Sequence, residues 1–468
     1  MNDYDNYLSP LSWRYASEEM RHIWSETNKR RLWRRLWVAL ARTQAEFGLV
    51  TVSQVNELEA HAEDIDIDTA LQIEAEIRHD LMSELKTFAG QCPTAGGVIH
   101  MGATSMDIED NTDALRIRQS LDRVLSLLSE VLISLAEKME ETADLPVMAF
   151  THLQPAEPST LGYRLSMYAQ DLLADYDTLR DVKAGIKGKG FKGAVGTAAA
   201  YGDLMGLENY FRFESLLSKE LDLPFFPVST QTYTRKQDYT VLSALAGLGA
   251  SLHKLAFDLR LLQSPTIGEI NEQFGKKQVG SSAMPFKRNP INAEKVDSLT
   301  RMLAVYPQVA WQNAAESLLE RTLDDSANRR MILPEAFLVS DEVLSVTLKL
   351  IKNMTIHREN IRRNLEIYAP FACTERIMMA AARQGGDRQK MHERLREHAL
   401  AAWLAVQISQ PNPLIRQLQS DDEILKWISA DEIARLSDVS SYTGIAAQAT
   451  RDMAARIRMV IGNGGEAD

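Results

Sequence analysis

The stretch LDRVLSLLSEVLISLAEKM, residues 121–139, decides the fold. Leu121, Leu125, Leu128, Leu132, Leu135 and Met139 recur in alternating four- and three-residue steps, the spacing of one continuous helical seam. Val124, Leu127 and Val131 widen that stripe, so the helix is expected to have neighbours on more than one side. Pro146 and the THLQP segment at 151–155 interrupt the pattern.

A second seam runs through Val241, Leu245, Leu248, Leu252, Leu255, Leu259 and Leu262, which predicts a helix from about Gln237 to Leu262. Gly247, Gly249, Ala250 and Ser251 lie among these residues, small enough for another helix to approach closely. Further helices are expected at 159–186, 290–318 and 328–353. Five long helices in one segment imply an elongated bundle. The seams fit an ordinary bundle core. They also fit, in part, an interface between subunits, because apolar seams of this length are hard to bury within one chain. Strand signals are sparse. Phe225–Val228 is short and β-rich, and nothing alternates long enough for a sheet. The 264–290 stretch carries Gly268, Gly275, Gly280 and two internal prolines but no helical stripe, the pattern of a functional or disordered loop.

The chain has 468 residues, enough for two or three domains, with 45% apolar and 25% charged residues, the composition of a folded protein. A net charge of −12 argues against general affinity for nucleic acid or acidic membranes, so an anionic ligand must meet a local cluster of basic groups. Cys92 and Cys373 belong to no CxxC pair, which predicts no disulfide framework, no zinc ribbon and a reducing compartment. MNDYDNYLSPLSWRYAS at the start lacks the regions of a signal peptide, and no apolar run is read as reaching membrane length.

Four polar clusters can carry chemistry. GSSAMPFKRNP (280–290) crowds two hydroxyls, a lysine and an asparagine between prolines. Pro290 is placed to open the next helix, whose N-terminus would favour an anion beside Lys287 and Asn289. The plainer alternative is a polar surface loop. HMGATSMD (100–107) precedes the first long helix, and Thr104, Ser105 or Asp107 can simply cap it. THLQPA (151–156) holds His152, expected at the entrance of a helix whose first turn contains Pro155. A lone histidine is more often structural than catalytic. ERTLDDSANRR (320–330) presents Arg321, Ser326 and Arg330 to a phosphate or carboxylate, unless Asp324, Asp325, Arg329 and Arg330 only pair with each other. Walker, HExxH and GxSxG motifs are absent.

Together these clusters resemble a known family. GSSAMPFKRNP is similar to the signature loop of the fumarase/aspartase superfamily, and HMGATSMD and THLQPAEPSTLG to two further segments of it. SPLSWRYASEEM, RHDLMSELKTFAG (78–90), TQTYTRKQD (230–238) and ERTLDDSANRR resemble the adenylosuccinate lyase family within that superfamily. The matches keep their order from residue 9 to about 340, whereas the last hundred residues match least. There, Gly385-Gly-Asp-Arg388 with Met391-His392 resembles the family's third domain. The resemblance implies an all-α, three-domain fold with boundaries at 1–104, 105–356 and 357–468, in which the central long-helix bundle assembles into a tetrameric helical core. It also implies a cytoplasmic carbon–nitrogen lyase of purine synthesis with no cofactor and no metal. Its active sites are shared between subunits, and its partners are small-molecule succinylated purine nucleotides, not nucleic acid or membrane.

The resemblance also assigns roles. Ser281 is the base, activated by positive charge or oriented amides, and His152 the general acid. His79 and Lys287 complete the catalytic set. Asn289, Thr104 and Ser105 join Lys287 in holding succinyl carboxylates. Arg14 and Tyr15 are expected near the phosphate. Arg321, Ser326, Arg330, Gln231, Arg78 and Asp80 are expected around the nucleotide. Lys295 stands where some relatives carry arginine and lacks its bidentate geometry, and GAVGTAAA (193–200) departs from the branch's usual pattern. The competing readings are argininosuccinate lyase, a carboxymuconate cycloisomerase, and a helical oligomer without catalysis.

Overall fold

The computed structural model describes residues 5–464. Its elements are mostly helical, and two compact units divide them. The first unit contains the chain up to Leu128, Asp175–Ala250 and Ser298–Ser345. The second contains Ser129–Ala174, Ser251–Asp297 and the chain from Val346 onward.

The helices and strands that position functional groups are α1 (Glu26–Ala45), α2 (Ile67–Ile77), α3 (Asp80–Gln91), α4 (Ser105–Glu141), β1 (Pro146–Thr151), β2 (Gln154–Thr160), α5 (Leu161–Gly185), α6 (Lys236–Leu262), β3 (Ile270–Asn271), α7 (Ile291–Ala315), α8 (Ser326–Asn353), β4 (Thr355–Ile356), α9 (Arg358–Arg383) and α10 (Arg388–Gln407). The five expected long helices are therefore α4 to α8, with ends shifted by a few residues. Every seam residue of α6 is buried, and so are those of α4 except Leu125, which is half-buried. Gly249 is where small size matters: a Cβ there would lie 3.1 Å from the Leu303 side chain of α7. By length and composition α6 also qualifies as a membrane span, which corrects the reading that no stretch does. Its buried seam, with Asp238, Lys254, Asp258 and Arg260 elsewhere on the same helix, marks a core helix instead.

The 146–160 region is a correction. Instead of leading directly into a helix, it forms an antiparallel hairpin in which Thr151 pairs with Gln154, and His152 and Leu153 are left as a two-residue turn. Pro155 lies in β2, not in the first turn of a helix. The missing signal was turn chemistry. Such turns need positive φ at both central residues and favour Asn-Gly. Phe225 joins Gly188 only through an isolated bridge. In the second unit α9 packs on both hairpin strands and on α10. Gly385, at φ 96°, ends α9, and Asp387 caps α10 through the Gln389 and Lys390 amides.

In the first unit a buried ion-pair lattice joins α4, α6 and α8. Arg235 binds Asp110 at 2.9 Å and Asp325 at 2.5 Å, while Arg329 binds Asp238 at 2.7 Å and Asp113 at 3.2 Å. Tyr233 completes it: its hydroxyl donates to Asp238 at 2.6 Å and accepts from Arg329 at 2.9 Å, and its amide donates to Asp110 at 2.7 Å. Burial opposes charge on Arg235, but the surrounding acids outweigh it and hold the guanidinium above its ordinary value. Arg329→Met, similar in volume but uncharged, strands Asp238 and Asp113. We expect it to lower unfolding free energy by about 3–5 kcal/mol in urea titrations. A loss under about 1 kcal/mol would mean that the lattice behaves like a surface pair.

Candidate active site

The first unit contains a cleft of about 580 Å³. Nine residues singled out from the sequence line it: Arg78, His79, Asp80, Thr104, Ser105, Gln231, Arg321, Ser326 and Arg330. Three helix ends bring them together. Arg78 closes α2 in a left-handed conformation (φ 55°), which turns the chain sharply into α3. His79 caps α3 by accepting from the Met82 amide at Nδ1, 3.4 Å away. In that tautomer the proton resides on Nε2, which faces Ser105 Oγ at 3.4 Å. Asp80 accepts from the Leu81 amide at 2.8 Å and from Arg330 at 2.9 Å. Burial pushes its carboxyl up, but the Arg330 charge and the Leu81 amide prevail and hold it below the usual range.

The start of α4 explains part of the HMGATSMD cluster. Asp107 is fully buried and accepts from the Thr104 amide at 3.0 Å, the reciprocal half of a cap. It also binds the Lys189 ammonium and the Lys192 and Gly193 amides, so its role is to anchor the 189–193 turn. His100 accepts from the Trp37 indole at 3.0 Å, and burial lowers its pKa against the pull of Asp107. Asp107 and His100 are structural, whereas Thr104 and Ser105 face the cleft.

The fourth cluster divides similarly. Asp325 and Arg329 belong to the buried lattice, Arg321 is held by Asp325 at 2.8 Å, and Arg330 reaches Asp80. The pairing read from the sequence within this segment is therefore mostly replaced by partners from other helices. Arg14 and Tyr15 lie outside the cleft lining, on an N-terminal segment pinned to α8. Asp341 accepts there from the Ser17 amide at 2.6 Å, and Glu342 from the Ala16 amide at 2.9 Å.

The remaining candidates lie in the second unit. His152 sits exposed at the hairpin tip with φ 53°, followed by Leu153 at φ 59°. Left-handed conformations cost non-glycine residues roughly 1–2 kcal/mol each, and such strain concentrates at functional sites. Ser281, Lys287 and Asn289 share one arm. Ser281 Oγ accepts from the Met284 amide at 3.0 Å and the Ala283 amide at 3.3 Å. These oriented amides are of the kind an ionised hydroxyl needs. Asn289 closes the arm by donating to the Gly280 carbonyl at 3.1 Å. Lys287 is exposed.

One expectation fails here. Pro290 precedes α7 as its cap, and the first amides of that helix are already taken. Glu272 accepts from Asn292 at 3.1 Å and from Ala293 at 3.3 Å. Burial raises the Glu272 pKa against these amides. The α7 N-terminus therefore holds a carboxylate of its own chain instead of waiting for a ligand. Lys295 is half-buried on α7, one turn further along.

Sequence reading missed other residues of the cleft, among them Lys29, Glu74, Glu109, Asp113 and Arg116. Glu109 and Asp113 follow Ser105 by one and two turns on α4, so helical periodicity counted from Ser105 marks both. Among the described residues, no group of three or more histidine, cysteine or acidic side chains is arranged to hold a metal.

A family model described as a lyase matches residues 13–304, and one described as the C-terminus of adenylosuccinate lyase matches residues 370–453. Adenylosuccinate lyase of Saccharomyces cerevisiae is 40% identical over 458 residues, covering 96% of this chain and 94% of that protein. The enzyme of Schistosoma mansoni is 39% identical over 428 residues (90% and 89%), and that of Archaeoglobus fulgidus 33% over 439 (94% and 96%). In fold, the chain is similar to 3-carboxy-cis,cis-muconate lactonizing enzyme from Pseudomonas putida, with TM-score 0.86 and 24% identity over 96% of this chain and 99% of that one. Fumarate lyase from Mesorhizobium sp. BNC1 gives 0.83 and 22% over the same shares.

Gly280 tests the arm. A Cβ there would fall 2.1 Å from the Lys287 carbonyl, so no side chain fits without opening the turn. We expect Gly280→Ala to speed tryptic cleavage at Lys287 and Arg288 by about tenfold, by raising the open population. An unchanged digestion rate would show that the arm closes without that contact.

Proposed function

The chain belongs to the adenylosuccinate lyase family, and on that premise we propose that it eliminates fumarate from succinylated purine nucleotides in purine biosynthesis. Adenylosuccinate would give AMP, and the succinylcarboxamide ribotide of aminoimidazole would give the carboxamide ribotide. The observation that carries this reading is the convergence of nine residues, named from family motifs scattered over more than 250 positions, on one cleft. Arg78, Arg321 and Arg330 give that cleft the local positive charge that an anionic nucleotide needs in a chain of net charge −12.

The chemistry follows from what the bond requires. A base removes the proton from the carbon beside one succinyl carboxylate, and charge spreads into that carboxylate. The electron pair forms the C=C bond of fumarate, the C–N bond breaks, and an acid supplies a proton to the departing nitrogen. Ser281 is the base in this reading. Its oxygen already accepts two backbone amides, which would stabilise the ionised form. Lys287 and Asn289, on the same arm, hold the carboxylate that gains charge, and Lys295 offers a point charge. His152 is the acid, supported by its exposure and its strained turn. His79 orients substrate with Ser105. Arg14 and Tyr15 act on the phosphate.

The same reading includes a cytoplasmic homotetramer with shared sites and the three-domain division. Exposed apolar residues on the long helices, such as Tyr163, Met167, Phe257 and Trp311, support association. A separate buried cluster around Ile377, Leu395, Leu414 and Ile433 supports a C-terminal domain.

The deciding assay is fumarate release from adenylosuccinate, the imidazole ribotide and argininosuccinate in parallel. Activity on the two purine substrates alone is expected, and activity on argininosuccinate alone would reject the reading. His152→Ala is expected to lower kcat by about 10²–10⁴-fold with little change in KM. A large KM rise at near-normal kcat would remove His152 from the acid role. Mixing Ser281→Ala with His152→Ala subunits should restore part of the activity, since some sites then contain both intact residues. Mixed tetramers without recovery would place both residues on one chain.

A further inference from the structure

The cleft contains five acids, and four of them are paired. Glu26 binds Lys29, Glu74 lies 3.9 Å from Arg30, Asp80 binds Arg330, and Asp113 binds Arg329. Glu109 differs: its half-buried carboxyl lines the cleft and has neither a hydrogen bond nor an ion pair with any described residue. An unpartnered carboxyl inside a charged pocket is costly unless a ligand completes it or it stays neutral. It lies on α4 one turn from Ser105, on the face that a bound molecule would meet.

Resting on the nucleotide reading of this cleft, we propose that Glu109 is a ligand-contacting residue that hydrogen-bonds the bound nucleotide as a neutral acid and excludes the anion once ionised. The groups around it set the charge state. Asp80 faces it from α3, and Asp110 and Asp113 flank it on α4, while Arg330 of α8 opposes them. His79 and Arg78 at the α2–α3 turn, Arg116 on α4, Arg329 on α8 and the Lys29–Glu26 pair line the same cleft. Burial first, then the three aspartates, push the Glu109 carboxyl up to about 8, so at neutral pH it carries a proton and can donate. An ionised Glu109 would add like charge to a cleft that has to take an anion. Conversely, a bound dianion raises the carboxyl further, so binding above that pH must take up a proton.

The test is AMP affinity by calorimetry from pH 7 to 9.5, where the phosphate, with its second pKa of roughly 6, is already a dianion. Adenosine serves as the uncharged control. The wild type is expected to lose affinity for AMP by about tenfold per pH unit above the carboxyl's pKa, with proton uptake seen by comparing buffers of different ionisation enthalpy. Glu109→Gln keeps a donor and cannot ionise. It should remove both the fall and the uptake, and adenosine should show neither in either protein. Equal slopes in wild type and Glu109→Gln, or an equal fall for adenosine, would overturn the proposal.

A ligand-free readout guards against a folding defect. The unfolded carboxyl ionises near its ordinary value of 4.5 and the folded one at about 8, so the folded state holds the extra proton between them. Glu109 therefore costs stability progressively from pH 4.5 to 8 and fully above. Glu109→Gln should raise the thermal midpoint at pH 9, and an unchanged or lower midpoint counts against the neutral acid. Fumarate release separates the two readings. An active enzyme whose pH slope is unaltered in Glu109→Gln sinks only the role of Glu109. A protein with neither AMP binding nor fumarate release sinks the nucleotide reading and this proposal with it.

Discussion

Charge buried without water must find opposite charge, and the first unit is built around that constraint. Arg235 and Arg329 enter a region where Asp110, Asp238 and Asp325 are almost fully enclosed. Each guanidinium bridges acids from different helices, so α4, α6 and α8 can approach only in the register that satisfies all of them. Helix seams alone tolerate sliding by a turn, but this lattice does not. Because Ser105 precedes Asp110 on α4, and Arg330 follows Arg329 on α8, the lattice also fixes where the cleft residues point.

The cleft and the arm solve different physical problems. In the cleft, most side chains are held by neighbours before any ligand arrives: His79 by the start of α3, Asp80 by Arg330, and Arg321 by Asp325. Such preorganisation reduces the entropy lost on binding. On the arm from 279 to 289, closure rests on the Asn289–Gly280 contact, the amides on Ser281, the Lys287 amide on the Met284 carbonyl and the Gln263 side chain on the Arg288 carbonyl, while Val279, Phe286 and Lys287 remain exposed. A segment held by a few polar contacts, with exposed side chains between them, can rearrange at little cost.

Glu272 shows how local rules can point to the wrong partner. A helix N-terminus next to Lys287 and Asn289 invites an anionic ligand, but a carboxylate of the same chain already satisfies those amides. The α7 start is thereby fixed, and the positive end of its dipole is partly spent on structure.

The sequence by itself determined the long helices, because a seam such as Leu121 to Met139 is a local repeat that only a helix can bury on one side. It also determined the family, because motifs such as GSSAMPFKRNP and ERTLDDSANRR carry chemistry in their residue types and order. It did not reveal the hairpin at 146–160, since His152 and Leu153 adopt positive φ against their own preference and only surrounding packing can enforce that. Nor did it separate Arg329, buried and locked among acids, from Arg330, which stays exposed and reaches Asp80, although the two are adjacent in the chain. The unpaired state of Glu109 was equally hidden. Asp80 and Asp113 find their partners in Arg330 and Arg329, more than 200 residues along the chain, and only the tertiary structure brings those together.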